Sequence, residues 1–216
     1  MNLALYGGTF DPIHCGHLAA AQAVRERLAL DRVYFVPSGH PPHRPRRRLT
    51  PYEHRYAMVT LACAGQPGFV PSLAEAPSEG GPRYSIETVR RFRRGPAAGH
   101  ELFFILGADA FLEFRTWRQW RALLDAAHFV IVSRPGFPLE QIAGVFPAGM
   151  VRERRAPDSG LEEFRLRKTT ARVLAGVREP VSGTRIRERA RLGRRLAGLV
   201  PPAVADYIRK QHLYES

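Results

Sequence analysis

The stretch "GGTFDPIHCGHL", residues 7–18, decides how the chain reads. Before it stands "NLALY" (2–6), a short apolar run that reads as a buried strand. After it comes "GHLAAAQAVRERLAL" (16–30), in which Leu18, Ala21, Val24 and Leu28 recur at helical spacing. A double glycine, a Thr-Phe-Asp-Pro turn and two histidines therefore sit where a strand hands over to a helix. In an open parallel sheet such junctions converge at the carboxyl ends of the strands, where ligands bind. Gly7 and Gly8 let the backbone approach a phosphate, and the helix start offers N–H groups and the positive end of its dipole. His14 and His17 add donors that tend to become cationic beside a polyphosphate. The string lacks the G-x-G-x-x-G of dinucleotide sites.

Two other chemistries could use this stretch. Zinc accepts imidazole and thiolate, but His14, Cys15 and His17 lie within four residues, and no second Cys-x-x-Cys or His-x-x-x-His completes a site. Cys15 could be a thiolate activated by the helix start, yet no acid–base partners single it out.

Outward from the motif, strand-like and helix-like segments alternate, which predicts βαβ units and a mostly parallel sheet. "DRVYFVPS" (31–38) is a second strand, leading into the proline- and arginine-rich "GHPPHRPRRR" (39–48). Thr50 as N-cap, Pro51 at the first helical position and Glu53 closing a capping box predict a helix to about Ala64. Further strands fall at "FVPSL" (69–73), "ELFFILG" (101–107) and "HFVIVSRPG" (128–136), with a helix from Ser85 through Phe92. Residues 137–179 have weak periodicity and many charges, which predicts variable, mobile structure. "VSGTRIRERARLG" (181–193) reads as a helix capped by Ser182, and "PPAVADYIRKQHLY" (201–214) as a short amphipathic helix.

The chain has 216 residues, enough to bury a sizeable core, and an ordinary 44% hydrophobic content. No apolar run approaches the ~18 residues of a membrane span and no signal-peptide layout is visible. Two cysteines make no disulfide framework, so a cytoplasmic address is expected. The formal charge of +13 invites a nucleic-acid partner. However, Lys168 and Lys210 are the only lysines, and the arginine, alanine, glycine and proline excess is what a GC-rich genome gives. The clusters at 44–48 and 90–94 are not interleaved with aromatics as single-strand platforms are, so nucleic acid is not expected as the main partner. One domain over 1–216, with a C-terminal helical part at about 182–214, fits better than two.

"VSGTRIR" (181–187) repeats the logic of the first motif: Ser182, Gly183 and Thr184 open a helix, and Arg187 lies one turn along, where its fork can grip phosphate oxygens. Taken alone it is an ordinary helix cap with a surface arginine. With "GGTFDPIHCGHL" it resembles the HxGH nucleotidyltransferases, in particular the bacterial nicotinate-nucleotide adenylyltransferases. The resemblance continues through "VPSGHPPHR" (36–44), "RYSIET" (83–88), "FILGADAFLEFRTWRQW" (104–120), "VSRPG" (132–136) and the C-terminal helix, and spans roughly residues 3–214. Arg44 stands where that family usually has lysine, Gly183 where it usually has serine, and Ser85 and Glu87 where Thr and Asp are common.

The resemblance implies a Rossmann-like α/β fold with helices on both faces of a parallel sheet. It implies transfer of AMP from ATP to the 5′-phosphate of nicotinate mononucleotide, giving nicotinate adenine dinucleotide and pyrophosphate. Gly8, Thr9, Phe10, His14 and His17 would hold the ATP phosphates, with Ser182, Gly183, Thr184 and Arg187 closing from the other side. His14, His17 and Arg187 would be the catalytic set. Gly107 and Asp109 would meet the adenosine, Asp109 at its ribose. Arg44 would meet the mononucleotide phosphate, Trp117 would stack on the pyridine ring, and the backbone near Tyr84 and Ser85 would receive the carboxylate. On helical spacing alone Trp117 reads as a core aromatic. Mg²⁺ would arrive with ATP rather than in a protein metal site. ATP and nicotinate mononucleotide are the expected partners, with no membrane, and a homo-oligomer is left open. The alternatives are transfer to another acceptor such as phosphopantetheine, or an arginine-built surface for RNA or membrane whose affinity collapses with salt.

Overall fold

The computed structural model describes residues 1–39, 49–78, 83–133, 138–155, 161–175 and 181–215. β1 (Asn2–Gly8) carries the first motif's glycines at its end. Its side chains alternate between two apolar layers, Leu3 and Leu5 on one face, Ala4 and Tyr6 on the other. β2 (Arg32–Pro37), β4 (Glu101–Gly107) and β5 (His128–Val132) do the same, as strands of a sheet covered on both faces must. β3 (Phe69–Pro71) is a three-residue edge strand, where a proline is tolerated.

The strand order is β3-β2-β1-β4-β5, continued by β8 (Thr170–Leu174), β7 (Leu161–Arg165) and β6 (Glu153–Arg155). All pairs from β3 to β8 are parallel, and β7 and β6 return antiparallel. The chain winds outward from β1 to β3, then crosses back to β4 on the other side. The order therefore reverses between β1 and β4, which opens a crevice above their carboxyl ends.

α1 (Cys15–Arg27), α2 (Tyr52–Cys63), α7 (Gly183–Arg191) and α8 (Pro202–Lys210) cover one face through Val24, Met58, Ile186 and Ile208. α3 (Ser85–Arg94), α4 (Ala108–Leu112), α5 (Trp120–Ala126) and α6 (Leu139–Ala143) cover the other through Val89, Phe111, Leu123 and Ile142. The Rossmann-like α/β class expected from the sequence is what forms. Among the described residues no helix is long and apolar enough to cross a membrane.

Three local expectations need correcting. α1 stops at Arg27 rather than Leu30, because Ala29 takes a left-handed φ of 46°. Thr50 is not the cap of α2: Pro51 is, with no side-chain cap bond, because the Thr50 backbone is held elsewhere, its carbonyl accepting from Arg55 Nε at 2.9 Å. The region 137–179 contains α6 and three strands rather than only variable loops; residues 134–137, 156–160 and 176–180 lie outside the described ones. Part of the arginine excess is structural. Arg93 donates to the carbonyls of Ala126 and His100, and Arg172 pairs with Glu163 at 2.7 Å across β8 and β7.

Candidate active site

Two clefts open at the crevice between β1 and β4, of about 380 and 580 Å³. They share Gly7, Gly8, Thr9, Gly107, Asp109 and Ala110, so the strand ends form a common sill between them. Gly107, Asp109, and all nine residues drawn from the two phosphate motifs line the smaller cleft. Tyr84, Ser85 and Trp117 line the larger. Arg44 falls outside the described residues.

In the smaller cleft the first turns of α1 and α7 face the same space. His14 is the N-cap of α1, and its backbone N–H donates to His17 Nδ1 at 3.2 Å. Because that nitrogen accepts, the neutral His17 ring carries its proton on Nε2. The two imidazoles stack at 3.6 Å with 22° between planes, and the His17 ring meets Phe10 edge-on at 5.0 Å. Burial, and secondly the adjacent His14, hold the His17 pKa well below the ordinary imidazole value. Below that ordinary value the unfolded chain binds a proton that the folded chain refuses, so this group lowers stability as pH falls. An arriving polyanion works against this by favouring the imidazolium. ATP binding is accordingly expected to take up protons, and the affinity to fall as rising pH strips the proton from the bound ring. Calorimetry in buffers of different ionisation enthalpy reads this directly, and a binding enthalpy independent of buffer would reject it.

From α7, the Ser182 hydroxyl accepts from the Arg185 N–H at 3.3 Å, the side-chain cap expected from sequence. Arg187 donates to the Asp11 carbonyl at 2.5 Å and to Thr184 Oγ1 at 3.0 Å. A β-carbon on Gly183 would lie 3.0 Å from Arg187 Nη1 and 3.1 Å from the Asp11 oxygen, so a glycine here lets α7 close on the first motif.

The turn between β1 and α1 is braced from below. Arg55 on α2 is 2% exposed; its Nη1 donates to the Thr9 carbonyl at 2.8 Å while Nε holds Thr50. The buried Asp11 carboxylate accepts from the Tyr214 hydroxyl at 2.8 Å. Phe10 sits at a φ of 48° with its ring buried. The glycines serve packing as well as access: a β-carbon on Gly7 would stand 3.0 Å from the Phe104 ring, and one on Gly8 2.9 Å from Phe10. The pattern of the motif hinted at Asp11, but nothing in the sequence pointed to Arg55, which lies 46 residues from its partner Thr9.

The larger cleft is aromatic and mixed in charge. Trp117 is half-buried, edge-on to Phe104 at 6.2 Å and 5.3 Å from Phe114. It is thus packed on the core and still lines the cleft. Tyr84 caps α3 through its backbone, its N–H donating to Glu87 Oε2 at 3.3 Å, and the Arg118 guanidinium lies 4.6 Å over its ring. The Tyr84 carbonyl takes the N–H groups of Glu87 and Thr88 at 2.9 and 3.2 Å, and Ser85, which opens the turn, lines the cleft. Glu75, not singled out from sequence, lines the same cleft although only 6% exposed.

This fold has known counterparts. The structure of Plasmodium falciparum nicotinic acid mononucleotide adenylyltransferase complexed with NaAD matches with a TM-score of 0.72 at 18% identity, covering 99% of this chain and 97% of that one. A Solibacter usitatus protein named "probable nicotinate-nucleotide adenylyltransferase" is 41% identical over 99% of this chain and 100% of its own length. One of the same name from Geobacter metallireducens is 39% identical over 99% and 98%. The cytidylyltransferase-like family model covers residues 5–189, from the middle of β1 almost to the end of α7, and so takes in both phosphate motifs. With that match and full-length relatives near 40% identity, the chain belongs to the cytidylyltransferase-like family.

Proposed function

We propose that the chain is a nicotinate-nucleotide adenylyltransferase of NAD biosynthesis, joining AMP from ATP to nicotinate mononucleotide with release of pyrophosphate. The observation that carries this reading is the shared sill: a histidine- and arginine-lined cleft and an aromatic cleft meet over the glycines of β1 and β4. A nucleotide in each would bring an acceptor phosphate in line with the α-phosphate of ATP.

The acceptor phosphate has a second pKa of about 6, so near neutral pH it is a ready nucleophile and requires no general base. Catalysis then consists of positioning and charge stabilisation. His14 and His17, the first turn of α1, and Arg187 with the Ser182–Gly183–Thr184 turn hold the triphosphate and the pyrophosphate as its bond to the α-phosphorus breaks. Asp109 holds the ribose beside Gly107. In the other cleft Trp117 stacks on the pyridine ring and the backbone near Tyr84 and Ser85 receives the carboxylate; the mononucleotide phosphate is assigned to Arg44. Mg²⁺ would enter with ATP, since the smaller cleft is lined by His14, His17, Arg187 and the first turns of α1 and α7. Such a lining suits the oxygens of a metal-bound triphosphate.

The test is pyrophosphate release from Mg·ATP with nicotinate mononucleotide, nicotinamide mononucleotide or phosphopantetheine as acceptor, and with CTP in place of ATP. Turnover requiring ATP and a pyridine mononucleotide supports the reading. Turnover only with CTP or only with phosphopantetheine moves the chain elsewhere in its family, and none at all removes the enzyme assignment.

A further inference from the structure

One buried carboxyl in the larger cleft has no part in the chemistry above. Glu75 lies on the segment between β3 and α3, where its Oε1 accepts from Thr88 Oγ1 of α3 at 3.1 Å. The hydroxyls of Ser38, just past β2, and Ser85, the first residue of α3, lie close enough to favour its ionised form. A β-carbon on Gly39 would stand 2.2 Å from the Glu75 carbonyl oxygen, so the backbone after β2 lies directly against this residue. Glu75 is pinned between two elements, and the same cleft is lined by Tyr84, Ser85 and Trp117.

We propose that Glu75 is the specificity-determining residue of the acceptor cleft, its carboxyl donating a hydrogen bond to a carboxylate-bearing pyridine ring when protonated and accepting one from a carboxamide-bearing ring when ionised. This inference rests on the proposed acceptor. A carboxylate can only accept, whereas a carboxamide offers both a C=O acceptor and an NH₂ donor, so a protonated Glu75 suits either ring and an ionised one suits only the amide. Burial raises the Glu75 pKa to about 7 against the three hydroxyls that lower it, which places both states within reach near neutrality. The titratable groups that act on it are Glu87 on α3 and Tyr52 on α2, and Arg83, Arg118, Asp109 and Glu113 line the same cleft. Glu87 pushes its pKa upward, and an incoming carboxylate pushes it further the same way. Binding of a nicotinate ring therefore takes up a proton at Glu75, and binding of a nicotinamide ring does not.

The experiment measures KM and kcat for both mononucleotides across about pH 6 to about pH 8.5 in the wild type and in Glu75→Gln, with calorimetric proton counts for acceptor binding. The phosphate titrates identically in the two acceptors, so their ratio isolates the ring. In the wild type, KM for the nicotinate acceptor is expected to rise about tenfold from pH 6 to pH 8 relative to the nicotinamide acceptor, with kcat contributing nothing to the divergence. Glutamine cannot titrate, so the divergence is expected to vanish in Glu75→Gln. A Glu75→Asp variant, which keeps a titratable group, should restore a pH-dependent ratio. A ratio flat with pH in the wild type, or equally steep in Glu75→Gln, overturns the role of Glu75 while leaving the adenylyltransferase reading intact. Absence of turnover with either mononucleotide at every pH overturns both.

Discussion

Replacing His17 with alanine is expected to lower kcat for pyrophosphate release about 10²–10³-fold, the usual cost of deleting one donor aimed at developing charge. KM for ATP should change far less. The inference follows from where the ring stands. His17 lines the smaller cleft with Nδ1 already committed to the His14 backbone, which leaves Nε2–H as its one outward donor. In the free protein burial keeps it neutral, and a bound triphosphate draws it only part of the way toward the imidazolium. As the bond to the leaving pyrophosphate lengthens, negative charge grows and the ring's proton affinity rises with it. That interaction is strongest in the transition state, and its loss falls on kcat. His17→Gln, which keeps an N–H donor but cannot become cationic, is expected to lie between wild type and alanine. A variant in which only KM rises would show that the ring binds ATP without assisting the reaction.

The second large effect concerns stability. Arg55→Met is expected to destabilise the fold by about 3 kcal/mol, because the part-buried Thr9 and Thr50 carbonyls each lose the donor of a buried guanidinium, at ~1–3 kcal/mol per group. For a chain of this size that corresponds to a fall in Tm of about 6–12 °C. The aliphatic stem is nearly preserved, so the loss reports the hydrogen bonds rather than a cavity. Thr9 and Asp11 also line the phosphate cleft, and ATP should stabilise the variant less than it stabilises the wild type. Thermal unfolding with and without Mg·ATP measures both. An unshifted Tm would mean that water replaces the guanidinium at no cost.

The parts legible from sequence are those where chemistry and pattern coincide. The β1 turn could be read because glycines, prolines and histidines each restrict what a turn can be, and the central strands because burial on both faces leaves unbroken apolar runs. β6 and β7 hid because they lie outside that double cover. "ERR" and "LEEFR" face solvent along much of their length, and in β7 only Leu161 and Phe164 are buried, too few to sustain a period. The segment 108–126 breaks into α4, a 3-10 turn and α5, with Gln119 at a φ of 52°, a break that no glycine or proline announces. Glu75 was invisible for a different reason. In "AEAPSEGG" it is one of two acidic residues among small ones, and only its depth, fixed by tertiary contacts with Thr88 and Gly39, sets it apart.

The bonds that gather on Asp11 have a consequence in time. Its carbonyl meets Arg187, 176 residues later, and its carboxylate meets Tyr214, 203 residues later. At ~5–20 residues per second, a ribosome delivers Tyr214 roughly 10–40 s after Asp11. Until α7 is made, the nascent chain carries half of the proposed cradle. Full nucleotide affinity is therefore expected late in synthesis, once both distant segments have docked, and a chain interrupted before α7 is expected to hold ATP weakly.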